Sequence, residues 1–128
     1  MKRLLLDTHA LLWWLADDPA LGPTARALIA DGENEIYVSA ASTWEIGMKK
    51  ALGKLEAPDH LTELLVEERL LPLPITLAHG EAAGGLPDHH RDPFDRMLVA
   101  QAQAEGLIIL TADTSIARYG VSTIPAQR

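Results

Sequence analysis

The chain alternates two hydrophobic patterns: short continuous apolar runs, and longer stretches in which apolar residues return every three or four positions. Lys2 to Leu6, Glu35-Ile36-Tyr37-Val38-Ser39 and Leu107-Ile108-Ile109-Leu110 are runs of the first kind and predict strands. Val121 to Ile124 predicts a last strand, and Leu73 to Thr76 reads as a strand or as plain extended chain. The second pattern starts at Thr8, where Ala10, Leu11, Trp14 and Leu15 have helical spacing until Asp17-Asp18-Pro19 stops it. A helix follows from Gly22-Pro23 to Gly32, with proline at its first position. Another runs from about Ala41 to a break near Gly53. Pro58-Asp59 opens the next, which carries Leu61, Leu64, Leu65 and Leu70 until Pro72 and Pro74 close it. His79 to Gly84 supplies one or two further turns before the breaker Gly84-Gly85-Leu86-Pro87. Asp92-Pro93 begins a helix to Glu105 with Gly106 as its C-terminal cap, and a short helix follows Thr111-Ala112-Asp113 as far as Tyr119-Gly120.

Strands and helices alternate, and the strands are apolar without in-out alternation. That combination predicts a parallel sheet covered on both faces by helices. With no internal repeat and no linker, the 128 residues read as a single domain, 1–128.

Composition changes this picture in three ways. No run approaches the roughly 20 apolar residues of a membrane span, so no membrane is expected. The N-terminus has the basic start and apolar stretch of a secretory signal, but Asp7 and His9 interrupt it and no small-residue cleavage pattern follows, so it reads as mature protein. The absence of cysteine excludes disulfides and thiolate metal sites and suits a reducing, cytoplasmic location. The net charge of −7 speaks against a plainly basic nucleic-acid surface. Solvated helical segments such as Thr62 to Arg69 account for some of the acids. The sharper account is a site in which several acids share a metal.

Right-handed crossovers put the start of each following helix at the carboxyl ends of parallel strands, where ligands collect. Asp7 follows the first strand, Asp113 follows Leu107 to Leu110, Glu45 lies early in the helix after Glu35 to Ser39, and Asp95 lies in the first turn of the helix leading back to Leu107. Four acids from distant segments are thereby expected at one edge. Each has a plainer role: Asp7 and Asp113 stand where helix N-caps belong, and Glu45 follows Ser42 at the capping-box interval and precedes Lys49 by one helical turn. Taken together they need a counter-charge, because like charges about 6 Å apart repel by roughly 3 kcal/mol at an effective dielectric near 20. Either some are protonated, or a hard divalent cation sits among them. Oxygen-only ligands favour Mg²⁺ or Mn²⁺, which lower the pKa of a bound water and stabilise charge on a phosphoryl transition state. Metal-dependent phosphodiester hydrolysis is the reaction class this suggests.

Three segments carry a family likeness: LLLDTHALLWWL, VSAASTWEIGMKKALGKL and LPDHHRDPFDRMLVAQAQAEGLIILTAD. In order and spacing they resemble the PIN-domain ribonucleases, specifically VapC-type toxins of bacterial toxin-antitoxin pairs, over nearly the whole chain. The resemblance implies a PIN-like three-layer α/β/α sandwich with a central, mainly parallel sheet of four or five strands. It implies an endoribonuclease using Mg²⁺ or Mn²⁺, assembled as a homodimer and silenced by a small antitoxin. Asp7, Glu45, Asp95 and Asp113 match the family's acids, with Thr8 and Thr111 as polar neighbours able to bond a metal-bound water or phosphate.

Basic residues near the predicted edge are candidates for holding RNA: Lys49, Lys50 and Lys54 on the helix of Glu45, and Arg91 and Arg96 beside the motif acids. Arg96 suits a phosphate contact or a salt bridge that orients an acid; solvated surface is the plainer reading of the rest. His89-His90 lack the helical spacing of imidazole metal ligands. Asp92, directly before Pro93, is best read as the N-cap that presents Asp95. Trp13 and Trp14 cannot face the same way, so one is core and the other is a candidate interface residue. Two rivals to the nuclease remain: a catalytically silent PIN-like RNA-binding or scaffolding module, and an α/β phosphohydrolase with Asp7 as covalent nucleophile. The second favours an acid two residues on, where this chain has His9.

Overall fold

The computed structural model describes residues 1–89 and 92–127. Five strands form one sheet: β1 (Arg3–Leu6), β2 (Glu35–Ser39), β3 (Leu71–Leu73), β4 (Ile108–Thr111) and β5 (Thr123–Pro125). Their order is β3-β2-β1-β4-β5, and every pair is parallel. The chain moves outward from β1 to β3, then crosses back and continues from β4 to β5. Between β1 and β4 the direction of winding reverses, and at such a switch point the crevice beyond the carboxyl ends of the strands is open to a ligand.

The apolar runs fill both faces. Leu4 and Leu6 of β1 and Leu110 of β4 pack into one core, whereas Leu5 and Ile109 point into the other. The first core is closed by α1 (Thr8–Leu15), α2 (Pro23–Ala30) and α4 (Leu61–Glu67), through side chains such as Leu11, Ile29 and Leu65. The second is closed by α6 (Pro93–Glu105) and the 3-10 helix Thr114–Tyr119, through Leu98, Val99 and Ile116. Of the remaining helices, α3 (Ala40–Ala51) contributes Ile46 to one core and Ala41 to the other, and α5 (Leu77–Gly84) packs on α6. The result is the three-layer α/β/α sandwich. Each of Leu4, Leu5 and Leu6 is fully buried, worth about 1.5–3 kcal/mol apiece relative to exposure.

Several boundaries differ from the sequence reading, among them the last strand, which is Thr123–Pro125 rather than Val121 to Ile124. Ser39, not a residue near Ser42, caps α3, its hydroxyl accepting from the Ala41 amide; Glu45 is therefore not a capping-box acid. The helix expected from Pro58-Asp59 starts only at Leu61, after His60 turns the chain with φ 56°. The third strand is Leu71–Leu73 rather than Leu73 to Thr76, and it includes Pro72, whose missing amide is tolerated because β3 is an edge strand. Thr76 instead caps α5 in a reciprocal pair with His79, two residues earlier than the helix was expected. Among the described residues, no helix is long and apolar enough to cross a membrane.

Candidate active site

At the carboxyl edge, beside the switch point, lies a cavity of about 290 Å³ lined by Asp7, Glu45, Asp95 and Asp113. Asp92, Thr8, His9 and Lys49 complete much of its wall. The four acids expected to meet are thus brought to one space by β1, α3, α6 and β4.

Each is set by local structure. Asp7 follows β1 and caps α1, its Oδ1 accepting from the Ala10 amide at 2.7 Å while Oδ2 accepts from the Thr111 hydroxyl at 2.5 Å. Thr111 also accepts from the Asp113 amide at 3.0 Å, so one buried hydroxyl links the ends of β1 and β4. Asp113 caps the 3-10 helix, with the Ser115 amide and hydroxyl donating to its Oδ1. Glu45 is buried on α3; Thr8 donates to its Oε1 at 2.6 Å, and the Lys49 ammonium stands 2.5 Å from its Oε2. Asp92 accepts from the Phe94 and Asp95 amides and so starts α6, leaving Asp95 in the first turn. Capping and site-lining, opposed in the sequence reading, coexist in Asp7 and Asp113, because a carboxylate has more acceptor positions than its cap consumes.

Burial dominates the electrostatics of Asp7. Desolvation pushes its carboxyl above the usual aspartate range, against the opposing hydrogen bonds of Thr111 and Ala10. Lys49 shifts in the sense that favours its charge: the hydrogen bond and the charge of Glu45, and after them the charges of Asp92 and Asp95, hold its ammonium above the usual lysine range against an opposing desolvation.

The donor set fits a hard divalent cation. Its acids offer oxygen alone, and a cation would offset the burial of Asp7. Among the described residues, no three His, Cys, Asp or Glu side chains close tightly enough to ligate an ion unaided. The cavity leaves room for the waters that Mg²⁺ retains.

Other expected residues fall elsewhere. Arg96 does not line the cavity; its guanidinium donates to the carbonyls of Ala83, Leu86 and Pro87 and fastens the turn ahead of α6. Lys50 points away and pairs with exposed Asp59, whose carboxyl it holds below the usual range. Arg91 and His90 lie outside the described residues. His89 packs edge-on against Tyr119. Trp13 and Trp14 are both half-buried against the first core, and the exposed tryptophan is Trp44. His9, which stacks on Trp13 at the cavity wall, and Ser115 were not singled out as site residues. An Asp-x-Ser turn could have signalled Ser115; no pattern marks His9.

The fold and the cavity define the class: an all-parallel α/β protein with carboxylates clustered at the switch point of its sheet. Within that class the chain belongs to the PIN domain family, whose model matches residues 4–121. Ribonuclease VapC22 of Mycobacterium tuberculosis (strain ATCC 25618 / H37Rv) is 28% identical over 116 residues, with 88% of each chain covered. Among solved structures, VapBC2 from Rickettsia felis bound to a DNA fragment from its promoter superposes with a TM-score of 0.70 at 16% identity, over 95% of this chain and 97% of that one. DNA-bound VapBC from Salmonella typhimurium gives 0.68 at 18% identity, over 97% and 98%. These structures share the fold.

Proposed function

We propose that the protein is a metal-dependent endoribonuclease, the toxin of a toxin-antitoxin pair, acting in the cytoplasm. The observation that carries this reading is the single cavity at the switch point into which β1, α3, α6 and β4 all send a carboxylate. Its likeness to ribonuclease VapC22 over 88% of the chain supports RNA as the substrate.

Asp7, Glu45, Asp95 and Asp113 hold Mg²⁺ or Mn²⁺. When bound, such an ion stabilises charge developing on the phosphoryl oxygens and makes water a better nucleophile at neutral pH. Thr111 fixes the orientation of Asp7, and Thr8 that of Glu45, so both carboxylates are preorganised for the cation. Lys49, at the wall of the same cavity, is placed to meet an RNA phosphate. Asp92 fixes the start of α6 and hence the position of Asp95.

A small antitoxin and a second copy of the chain are the proposed protein partners. The solved VapBC assemblies support the first. The apolar side chains left in water, Leu77 at 95%, Val66 at 71% and Trp44 at 62% exposure, support burial by a partner.

The test is RNA cleavage by the purified protein. Cleavage is expected with Mg²⁺ or Mn²⁺, none in excess chelator, and none from Asp7→Asn, whose circular dichroism should match the wild type. Undiminished cleavage in chelator, or by that variant, removes the metal mechanism.

A further inference from the structure

Among the described residues, Lys49 is the only lysine or arginine lining the acidic cavity. We propose that its ammonium is a tethered counter-ion: in the metal-free protein it occupies the metal-facing side of Glu45, and a divalent cation must displace it to be held. The inference rests on the metal reading above and adds an occupant to that site.

Three observations support it. First, the two oxygens of Glu45 are divided between partners, Oε1 taken by Thr8 and Oε2 by Lys49, so the ammonium sits where a cation would find its oxygen. Second, this is not a solvated helical pair. The Glu45 side chain is only 7% exposed, and Asp92 and Asp95 at the head of α6 line the same cavity, so the lysine shares it with carboxylates from beyond its own helix. Third, the Lys49 side chain is 32% exposed on a flexible stem, which leaves it a route out to solvent. A displaced ammonium remains tethered at the cavity wall, where it can meet a phosphate. Lys50 supplies the contrast: it carries the same charge on the same helix, but pairs with Asp59 outside the cavity.

The experiment is a Mn²⁺ titration of the full chain at neutral pH and low salt, following the electron paramagnetic resonance of the free ion. Lys49→Met is expected to bind Mn²⁺ at least about 5-fold more tightly than wild type, because a competing cation is gone. Lys50→Met is expected to stay within about 2-fold of wild type, because that charge lies outside the site. Unchanged or weaker binding by Lys49→Met overturns the proposal, as does equal tightening by Lys50→Met, which would make the effect one of net charge. If Lys49→Met fails to fold by circular dichroism, Lys49→Gln is read in the same way. A wild type that takes up no Mn²⁺ while Lys49→Met binds it is the extreme form of the expected result. Neither protein binding Mn²⁺ defeats the metal reading itself, and this proposal with it.

Discussion

Asp92 and Asp95 stand three residues apart at the head of α6, and Pro93 between them gives each a different task. Proline at the first helical position makes Asp92 the cap, with its Oδ1 on two amides, and puts Asp95 on the cavity wall. Asp92→Ala should therefore lower stability by about 1 kcal/mol and reduce cleavage only in part. Asp95→Asn should remove cleavage with little change in melting temperature. Thermal melts and cleavage rates of the two variants check this, and the reverse pattern would exchange their roles. Asp7 adds a pH dependence. Its folded pKa is raised, so the fold gains most from this group below the ordinary aspartate range and loses that contribution as pH rises through the raised value. In chelator, Asp7→Asn, which keeps an acceptor for the Ala10 amide, should melt higher than wild type by a margin that grows as pH rises above the ordinary aspartate range. A margin that is flat with pH would mean that burial does not govern this carboxyl.

Elements were legible where their signals are local. The strands at Leu4, Ile36 and Ile109 announce themselves as apolar runs, and α6 carries both its start signal, Asp92-Pro93, and its stop, Gly106. Gly106 adopts φ 67°, a conformation that costs a side chain, so Gly106→Ala should lower stability by about 1 kcal/mol while leaving cleavage intact; chemical denaturation and the cleavage assay measure both. Boundaries were misread where tertiary structure overrides a local signal. Pro72 looks like a helix terminator, yet it sits within β3 because nothing needs its amide on the sheet's outer edge. Ser42 looks like the cap of α3, but Ser39 takes that role, and its hydroxyl reaches Gln101 of α6, a partner 62 residues away.

At the scale of the whole molecule, the sheet order converts scattered acids into one site. Asp7 and Asp113 follow the two strands that flank the switch point, and α3 and α6 bring Glu45 and Asp95 to the same edge. That convergence was legible, because strand-to-helix order and crossover handedness determine which ends meet. The direction of the long basic side chains was not. Arg96 turns to three carbonyls, Lys50 to Asp59 and Lys49 into the cavity, choices made by packing and charge from elements far apart in sequence. The central claim is that the four carboxylates hold a metal in this cavity. Anomalous diffraction from crystals of the protein grown with Mn²⁺ tests it most directly. The expected result is a peak within the space bounded by Asp7, Glu45, Asp95 and Asp113; a protein that cleaves RNA with Mn²⁺ yet binds the ion elsewhere would contradict it.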